Sequence, residues 1–234
     1  MTKTRRQRPG SNPRETPAYG VAEAAHYVRL PVATLRSWIA GREYLTRTGV
    51  RTSHPLVRPA DTFTPLLSFS NLIEAHVLRA LRTDHAVSIK DVRIAVRYAE
   101  TELGIDRLLL SKELRASGKQ LFLERYGELL SLSRSGQIAL KKVFEAHIAR
   151  VEWNHFQFPV RLYPFLRAET SDAAKPIAID PTIQFGRPIV LRRGLSTRAI
   201  ADRVDAGEPL ASLAEDYALE IREIEEAVVY ERAA

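Results

Sequence analysis

The sequence predicts a mainly α-helical protein with a helix-turn-helix near its N-terminal end. Residues 21–38 carry apolar side chains at helical spacing, interrupted by one tight turn. Further stretches with a helical period follow in the middle of the chain, and three more helical stretches lie at its C-terminal end. Only short stretches alternate between apolar and polar residues, so we expect few strands, all of them short.

Changes in composition divide the chain into five segments. The first is basic and contains proline and glycine, a composition that predicts a flexible arm. The fourth segment consists of small and polar residues and ends in proline, a composition that is typical of a linker. The predicted segments are the arm at 1–17, a helix-turn-helix and wing at 18–66, a central helical region at 67–167, a linker at 168–176 and a C-terminal domain at 177–234.

The predicted helix-turn-helix is built on small residues. Ala24 and Ala25 lie on the inner face of the first helix, where a second helix must approach closely. The second helix presents Leu35 and Trp38 to that face, and Pro31 suits its first turn. Its remaining side chains point outward, and in this motif they usually meet the major groove of DNA.

The distribution of charge favours DNA at the N-terminal end. Residues 1–60 hold 11 basic and 3 acidic side chains, whereas residues 208–234 hold 2 basic and 8 acidic ones. A basic surface favours binding because each neutralised phosphate releases counterions. One helix-turn-helix reads few base pairs, so we expect a homodimer with two reading helices about 34 Å apart. We predict base contacts from Thr34, Arg36 and Ser37, and phosphate contacts from Arg29, Arg42, Arg47 and Arg51.

The middle of the chain is predicted to be a helical layer. One helix is expected to begin with Ser70 or Asn71 as its N-cap. A hairpin or wing is predicted from 56–58 and 62–64, two further helices at 88–103 and 137–151, and short strands at 120–123 and 160–162.

The C-terminal segment is predicted to hold a β-hairpin followed by three helices. Apolar residues at 177–179 and 189–191 alternate on either side of Pro181 and Gly186. Helices at 196–206, 209–217 and 220–231 then form a trihelical unit similar to a second helix-turn-helix.

Several classes of function are disfavoured by composition. The chain has no cysteine, which excludes disulfides, thiolate catalysis and cysteine zinc sites. Its six histidines lack metal-ligand spacing, and no glycine-rich phosphate loop is present. No apolar run is long enough to cross a membrane. We therefore expect a cytoplasmic, non-enzymatic protein with neither a metal nor a cofactor.

The N-terminal motif resembles the helix-turn-helix of MerR-type regulators. Residues 19–41 contain an aromatic residue, a first helix of small residues, and then Thr34-Leu35-Arg36 with Trp38. The chain departs from that pattern at Arg29, where such proteins often carry glycine.

The remainder of the chain resembles VapB-type antitoxins of the mycobacterial kind. The resemblance rests on Gly186-Arg187-Pro188-Ile189-Val190, on Leu213-Ala214-Glu215-Asp216-Tyr217, and on the stretch at 67–74. It implies a PIN-like (VapC-type) ribonuclease toxin as partner, inhibited by direct binding, and repression of the promoter shared with that toxin. Since such a nuclease has a carboxylate-rich cleft, Arg192 and Arg193 are our candidates for the toxin contact.

Two other functions remain open at this stage. The chain could be a ligand-responsive MerR-like transcription regulator with no toxin. Alternatively, both trihelical ends could dock proteins, with the basic N-terminal region serving solubility. Co-purification with the product of the adjacent reading frame separates the first alternative from an antitoxin, and a salt series of DNA binding tests the second.

Overall fold

The computed structural model describes residues 12–41, 43–46, 49–52, 55–61, 63–83, 93, 96, 100–101, 107–110, 148–164 and 175–232. The described helices are α1 (Val21–Tyr27), α2 (Val32–Ala40), α3 (Phe69–Thr83), α4 (Thr197–Asp205), α5 (Leu210–Tyr217) and α6 (Ile221–Arg232). The described strands are β1 (Glu43–Thr46), β2 (Gly49–Thr52), β3 (Val151–Trp153), β4 (Pro159–Leu162), β5 (Ile177–Ile179), β6 (Pro188–Val190) and β7 (Leu195–Ser196).

Helices α1 and α2 form the helix-turn-helix that the sequence predicts. The Glu23 carboxylate accepts a hydrogen bond from the backbone N–H of Gly20 at 3.3 Å, which caps the start of α1. Ala24 on α1 is fully buried against α2, where Leu35 and Trp38 are also fully buried. The small residue lets the two helices approach, and the large ones fill the space between them.

The ribbon that follows α2 lies earlier in the chain than predicted. It is formed by β1 and β2, which pair antiparallel, and not by 56–58 and 62–64, so that prediction is wrong in position. Leu56 and Val57 are buried, and their backbone N–H groups donate to the Trp38 carbonyl at 2.7 and 3.2 Å. These two N–H groups satisfy a carbonyl at the end of α2, so they are not available to pair with a neighbouring strand.

Helix α3 begins slightly earlier than predicted because Ser68, and not Ser70 or Asn71, is its N-cap. The Ser68 hydroxyl accepts a hydrogen bond from the Asn71 backbone N–H at 3.3 Å, and the Asn71 side chain accepts one from the Ser68 N–H at 3.1 Å. This reciprocal pair is a capping box. Residues 69–78 are all buried, in agreement with apolar positions on several faces.

A buried ion pair joins α3 to the segment before α1. Glu74 is 4% exposed and accepts hydrogen bonds from Nε and Nη2 of Arg107 at 2.9 and 3.0 Å. Burial raises the pKa of Glu74, although the hydrogen bonds from Arg107 and Asn71 favour the carboxylate. Arg107 also donates to Glu15 at 2.8 Å. The guanidinium thus fixes the chain before α1 against α3.

Strands β3 to β7 form one antiparallel sheet in chain order. Leu162 on β4 lies opposite Ile179 on β5, so the sheet continues across the segment predicted as a linker. The fold is therefore mixed and helix-rich, which corrects the prediction of a mainly α-helical protein. The strands were underestimated because each holds only two to four residues, too few for a clear period-two pattern.

Parts of the predicted middle region lie outside the described residues. These are the strand at 120–123, most of the helices at 88–103 and 137–151, and most of the linker. The strand at 160–162 is confirmed by β4. Val151, the last residue of the helix predicted at 137–151, is the first residue of β3, so the helical prediction is wrong at that residue.

The three C-terminal helices lie within two residues of their predicted bounds. The Ser196 hydroxyl accepts a hydrogen bond from the Ala199 backbone N–H at 3.4 Å and caps α4. Ile200, Leu213 and Ile224, one from each helix, are fully buried together with Ile177 and Val190 of the sheet. In contrast, Ile179 packs into the core that surrounds α1, α2 and α3. Strand β5 therefore contributes to both cores.

The turn between β5 and β6 touches the N-terminal segment at Gly186. Gly186 has φ 77° and Gly207 has φ 92°, but an added methyl group would overlap the buried Tyr19 hydroxyl only at Gly186. We predict that Gly207→Ala lowers the free energy of unfolding by about 1 kcal/mol through its left-handed backbone. Gly186→Ala should cost about 1–3 kcal/mol more through overpacking. Urea unfolding measures both values, and equal losses would contradict the contact.

Candidate nucleic-acid interface

The exposed side of α2 carries the predicted base-reading residues. Ala33, Arg36 and Ala40 are exposed, whereas Thr34 and Ser37 are half-buried. The Ser37 hydroxyl donates to the Thr34 carbonyl at 2.8 Å, within the helix. Because that bond uses the hydroxyl proton, Ser37 is left as an acceptor. Arg36 is therefore the side chain of the predicted trio best placed to donate to a base edge.

Arg29 has contacts within the protein that the sequence did not predict. It lies in the turn between α1 and α2 with φ 57°, in the left-handed region. Its Nη2 donates to the Tyr230 backbone carbonyl at 3.0 Å, and its guanidinium carbon lies 4.8 Å from the centre of the Tyr230 ring. The guanidinium that we predicted to contact a DNA phosphate is thus bound to α6 within the protein.

The same two segments make a second hydrogen bond in the opposite direction. The Tyr230 hydroxyl donates to the Tyr27 backbone carbonyl at 3.3 Å. Burial raises the pKa of Tyr230, so its hydroxyl stays protonated and able to donate. We call the contacts of Arg29 and Tyr27 with Tyr230 the clasp.

Charged residues beside the clasp form pairs between α1 and the C-terminal unit. The nitrogen Nε2 of His26 lies 3.8 Å from the Glu231 carboxylate. Burial opposes the ionisation of Glu231, but the nearby His26 and the hydrogen bond from the Thr197 hydroxyl hold the pKa of Glu231 below its usual value. Arg187 on the turn before β6 pairs with Glu23 on α1. These groups border a cleft of about 600 Å³ between the two units.

The structure describes the other predicted phosphate contacts only in part. Arg42 and Arg47 lie outside the described residues. The backbone of Arg51 is in β2, opposite Tyr44 of β1, while its side chain is outside the description. Phosphate contacts by these three arginines stay predictions.

The two arginines predicted to contact a toxin are exposed in the turn between β6 and β7. Arg192 lies 3.5 Å from the Glu220 carboxylate and 3.2 Å from that of Glu223. Arg193 donates through Nε to the Ala218 carbonyl at 3.3 Å. Both side chains thus hold this turn against the start of α6. Exposed ion pairs of this kind are worth little, so a partner could displace them.

The clasp is the feature of this site that sequence reasoning missed. Its residues are about 200 positions apart in the chain, and no periodic pattern connects such distant positions. One signal was present, since Arg29 occupies the turn position where glycine is expected. When a residue other than glycine adopts a left-handed backbone at such a position, a specific contact usually holds it there.

Replacing Arg29 by alanine tests the clasp at a constant backbone cost, because both residues carry a Cβ and pay the same penalty for positive φ. We predict that Arg29→Ala lowers the free energy of unfolding by about 1 kcal/mol or more, through loss of the charged hydrogen bond to α6. The matched control, Arg36→Ala, removes an exposed arginine and should change stability by less than about 0.5 kcal/mol. Unfolding in guanidinium chloride measures the stability of both variants. An Arg29 variant as stable as the parent protein would contradict the clasp.

Two segments of the chain match known protein families. Residues 17–96 match the family described as "Putative DNA-binding HTH domain", and residues 177–230 match "Protein of unknown function (DUF433)". The first match covers the helix-turn-helix, and the second covers β5 to β7 with α4 to α6. No helix in the described part of the chain is both long and apolar enough to cross a membrane.

Two relatives from Mycobacterium tuberculosis align with most of the chain. The chain is 26% identical to "Uncharacterized protein Rv2308" over 91% of its own length and 89% of that protein. It is 25% identical to "Putative antitoxin VapB45" over 87% of its length and 89% of that protein. The crystal structure of Rv2018 from the same organism shares the fold, with a TM-score of 0.65 at 20% identity over 91% of this chain and 97% of that one. The alignment with "Putative antitoxin VapB45" confirms the predicted resemblance: most of this chain is similar to a protein of that name, its residues 17–96 match a family described as a DNA-binding HTH domain, and its residues 177–230 match DUF433.

Proposed function

We propose that this protein is a DNA-binding antitoxin of a type II toxin–antitoxin system. In this proposal it represses its own promoter and neutralises a PIN-like (VapC-type) ribonuclease toxin by direct binding, and it has no catalytic activity of its own. The observation that carries the proposal is the exposed side of α2, with Arg36 at its centre, in a chain related to a protein named as an antitoxin.

DNA binding is supported by the way α2 is held. Leu35 and Trp38 bury one side of the helix, so the side with Arg36 is kept outward. The surplus of basic residues at 1–60 supplies attraction to phosphates. A homodimer would present two such helices about one turn of DNA apart and match a palindromic site.

Toxin binding is supported by the relative and by the charge of the C-terminal unit. Residues 208–234 hold 8 acidic and 2 basic side chains, which would repel DNA and leave this end for a protein. Arg192 and Arg193 remain a hypothesis for the contact. Because both side chains already contact their own chain, a toxin would have to displace those contacts first.

A ligand-responsive regulator without a toxin is the second candidate. The cleft of about 600 Å³ between α1 and the C-terminal unit favours it, because a charged small molecule could compete there for the pair of Arg187 and Glu23. Co-expression with the product of the adjacent reading frame separates the two functions. A stable complex supports the antitoxin, and no complex at micromolar concentration favours the regulator.

Two arginine variants test the predicted roles in DNA binding. Arg36→Ala should reduce discrimination between the upstream DNA and a scrambled duplex by about 1–3 kcal/mol, because a base contact is lost. Arg42→Ala should weaken binding to both duplexes alike and lower the salt dependence, because a phosphate contact is lost. Fluorescence anisotropy over a salt series measures these quantities. Equal losses on every duplex from both variants would refute the assignment of roles.

A further inference from the structure

Three phenylalanines are exposed on two neighbouring turns of the sheet. Phe156 and Phe158 lie in the turn between β3 and β4, and Phe185 lies in the turn between β5 and β6. Their exposed fractions are 69%, 52% and 83%. Because the strands run antiparallel in chain order, both turns lie at the same end of the sheet. We call these three residues the aromatic end. The turn with Arg192 lies at the opposite end.

The first of these turns is closed by three hydrogen bonds. The Gln157 backbone N–H donates to the Asn154 carbonyl at 2.8 Å, and the Asn154 N–H donates to the Phe158 carbonyl at 2.9 Å. The Asn154 side chain accepts a third bond, from the Phe158 N–H at 3.0 Å. The guanidinium of Arg14 lies 4.5 Å from the centre of the Phe158 ring. The aromatic rings are therefore displayed from a fixed backbone.

The second turn is held in an unfavourable backbone conformation. Gln184 and Phe185 have φ 48° and 56°, in the left-handed region that side chains other than glycine rarely adopt. Asp180 at the start of the turn is buried and accepts bonds from the Thr182 N–H at 2.9 Å and from Arg161 at 3.0 Å. Such backbone strain, maintained by surrounding contacts, concentrates at functional sites.

Arg161 on β4 joins β3 to the second turn. Besides Asp180, it contacts the Glu152 carboxylate on β3 at 2.9 Å. Together the three rings expose on the order of 400 Å², since a phenylalanine presents about 200 Å². This summed area is about half of what one partner contributes to a standard protein interface. It equals the largest apolar patch of a typical monomer, which is often functional.

The shape and charge of the aromatic end indicate its occupant. The three rings are more than half exposed at the tips of turns, so the surface that covers them must supply a recess. Residues 154–158 and 180–186 contain no lysine or arginine and one aspartate. The neighbouring Arg161 and Arg187 are paired with carboxylates of this chain, which disfavours nucleic acid as the occupant.

We propose that the aromatic end, Phe156, Phe158 and Phe185, inserts into an apolar groove of the ribonuclease toxin and is the principal toxin contact. This proposal rests on the antitoxin function proposed above. Aromatic side chains suit this role because they bury a large area and have only two rotatable side-chain bonds to fix on binding.

The test measures the affinity of purified variants for the product of the adjacent reading frame. Phe185→Asn removes the ring and keeps a residue that tolerates left-handed φ, and Phe156→Ser removes the second ring. Each should raise Kd at least about tenfold, as expected for residues at the centre of an interface. Phe63→Ser is the matched control, since Phe63 is 99% exposed and lies outside both turns. The double charge reversal Arg192→Glu with Arg193→Glu tests the competing surface.

The proposal predicts that the Phe63 and arginine variants keep Kd within about threefold of the parent, and that all variants bind DNA equally. It is overturned if Phe185→Asn and Phe156→Ser bind as the parent does, or if Phe63→Ser weakens binding by the same factor. Failure of the antitoxin function looks different, because the parent protein itself would not bind the partner. Equal circular dichroism and unfolding midpoints ensure that the variants are folded.

Discussion

The contact between the helix-turn-helix and the C-terminal helix determines how the two ends of this protein are arranged. Tyr230 lies in the last turn of α6, where backbone carbonyls have no partner within the helix. Arg29 donates to one of these carbonyls and places a positive charge at the negative end of the helix dipole. Since Arg29 lies in the short turn directly before α2, the orientation of α2 depends on its contact with α6.

Three further contacts fix the same arrangement from other directions. Tyr19 packs under the turn at Gly186, and Arg187 pairs with Glu23. The sheet also joins the two cores through β5. The helix-turn-helix is therefore integrated with the rest of the fold, unlike a reading head on a flexible tether. Movement of the turn at 180–187 would therefore disturb contacts that reach α1.

Local pattern predicted the parts of the fold in which each helix is amphipathic by itself. Ala24 with Trp38, and Ile200 with Leu213, identify the helix-turn-helix and the C-terminal trihelical unit from spacing alone. Strands β4, β5 and β6 were predicted, whereas β3 and β7 hold only three and two residues, too few to show alternation, and were not predicted as strands. The clasp and the aromatic end follow from long-range pairing, which single-sequence patterns do not encode. The exposure of Arg36 was predictable because it follows from helical periodicity.

The most direct measurement places a cleavage reagent on the reading helix. The chain has no cysteine, so one introduced at exposed Ala33 of α2 carries iron–EDTA at a single site, and one at exposed Ala211 of α5 is the control. The account predicts that the Ala33 conjugate cleaves the upstream DNA at two positions about one helical turn apart, near 34 Å, and that the Ala211 conjugate does not. Cleavage from Ala211 with none from Ala33 would contradict it.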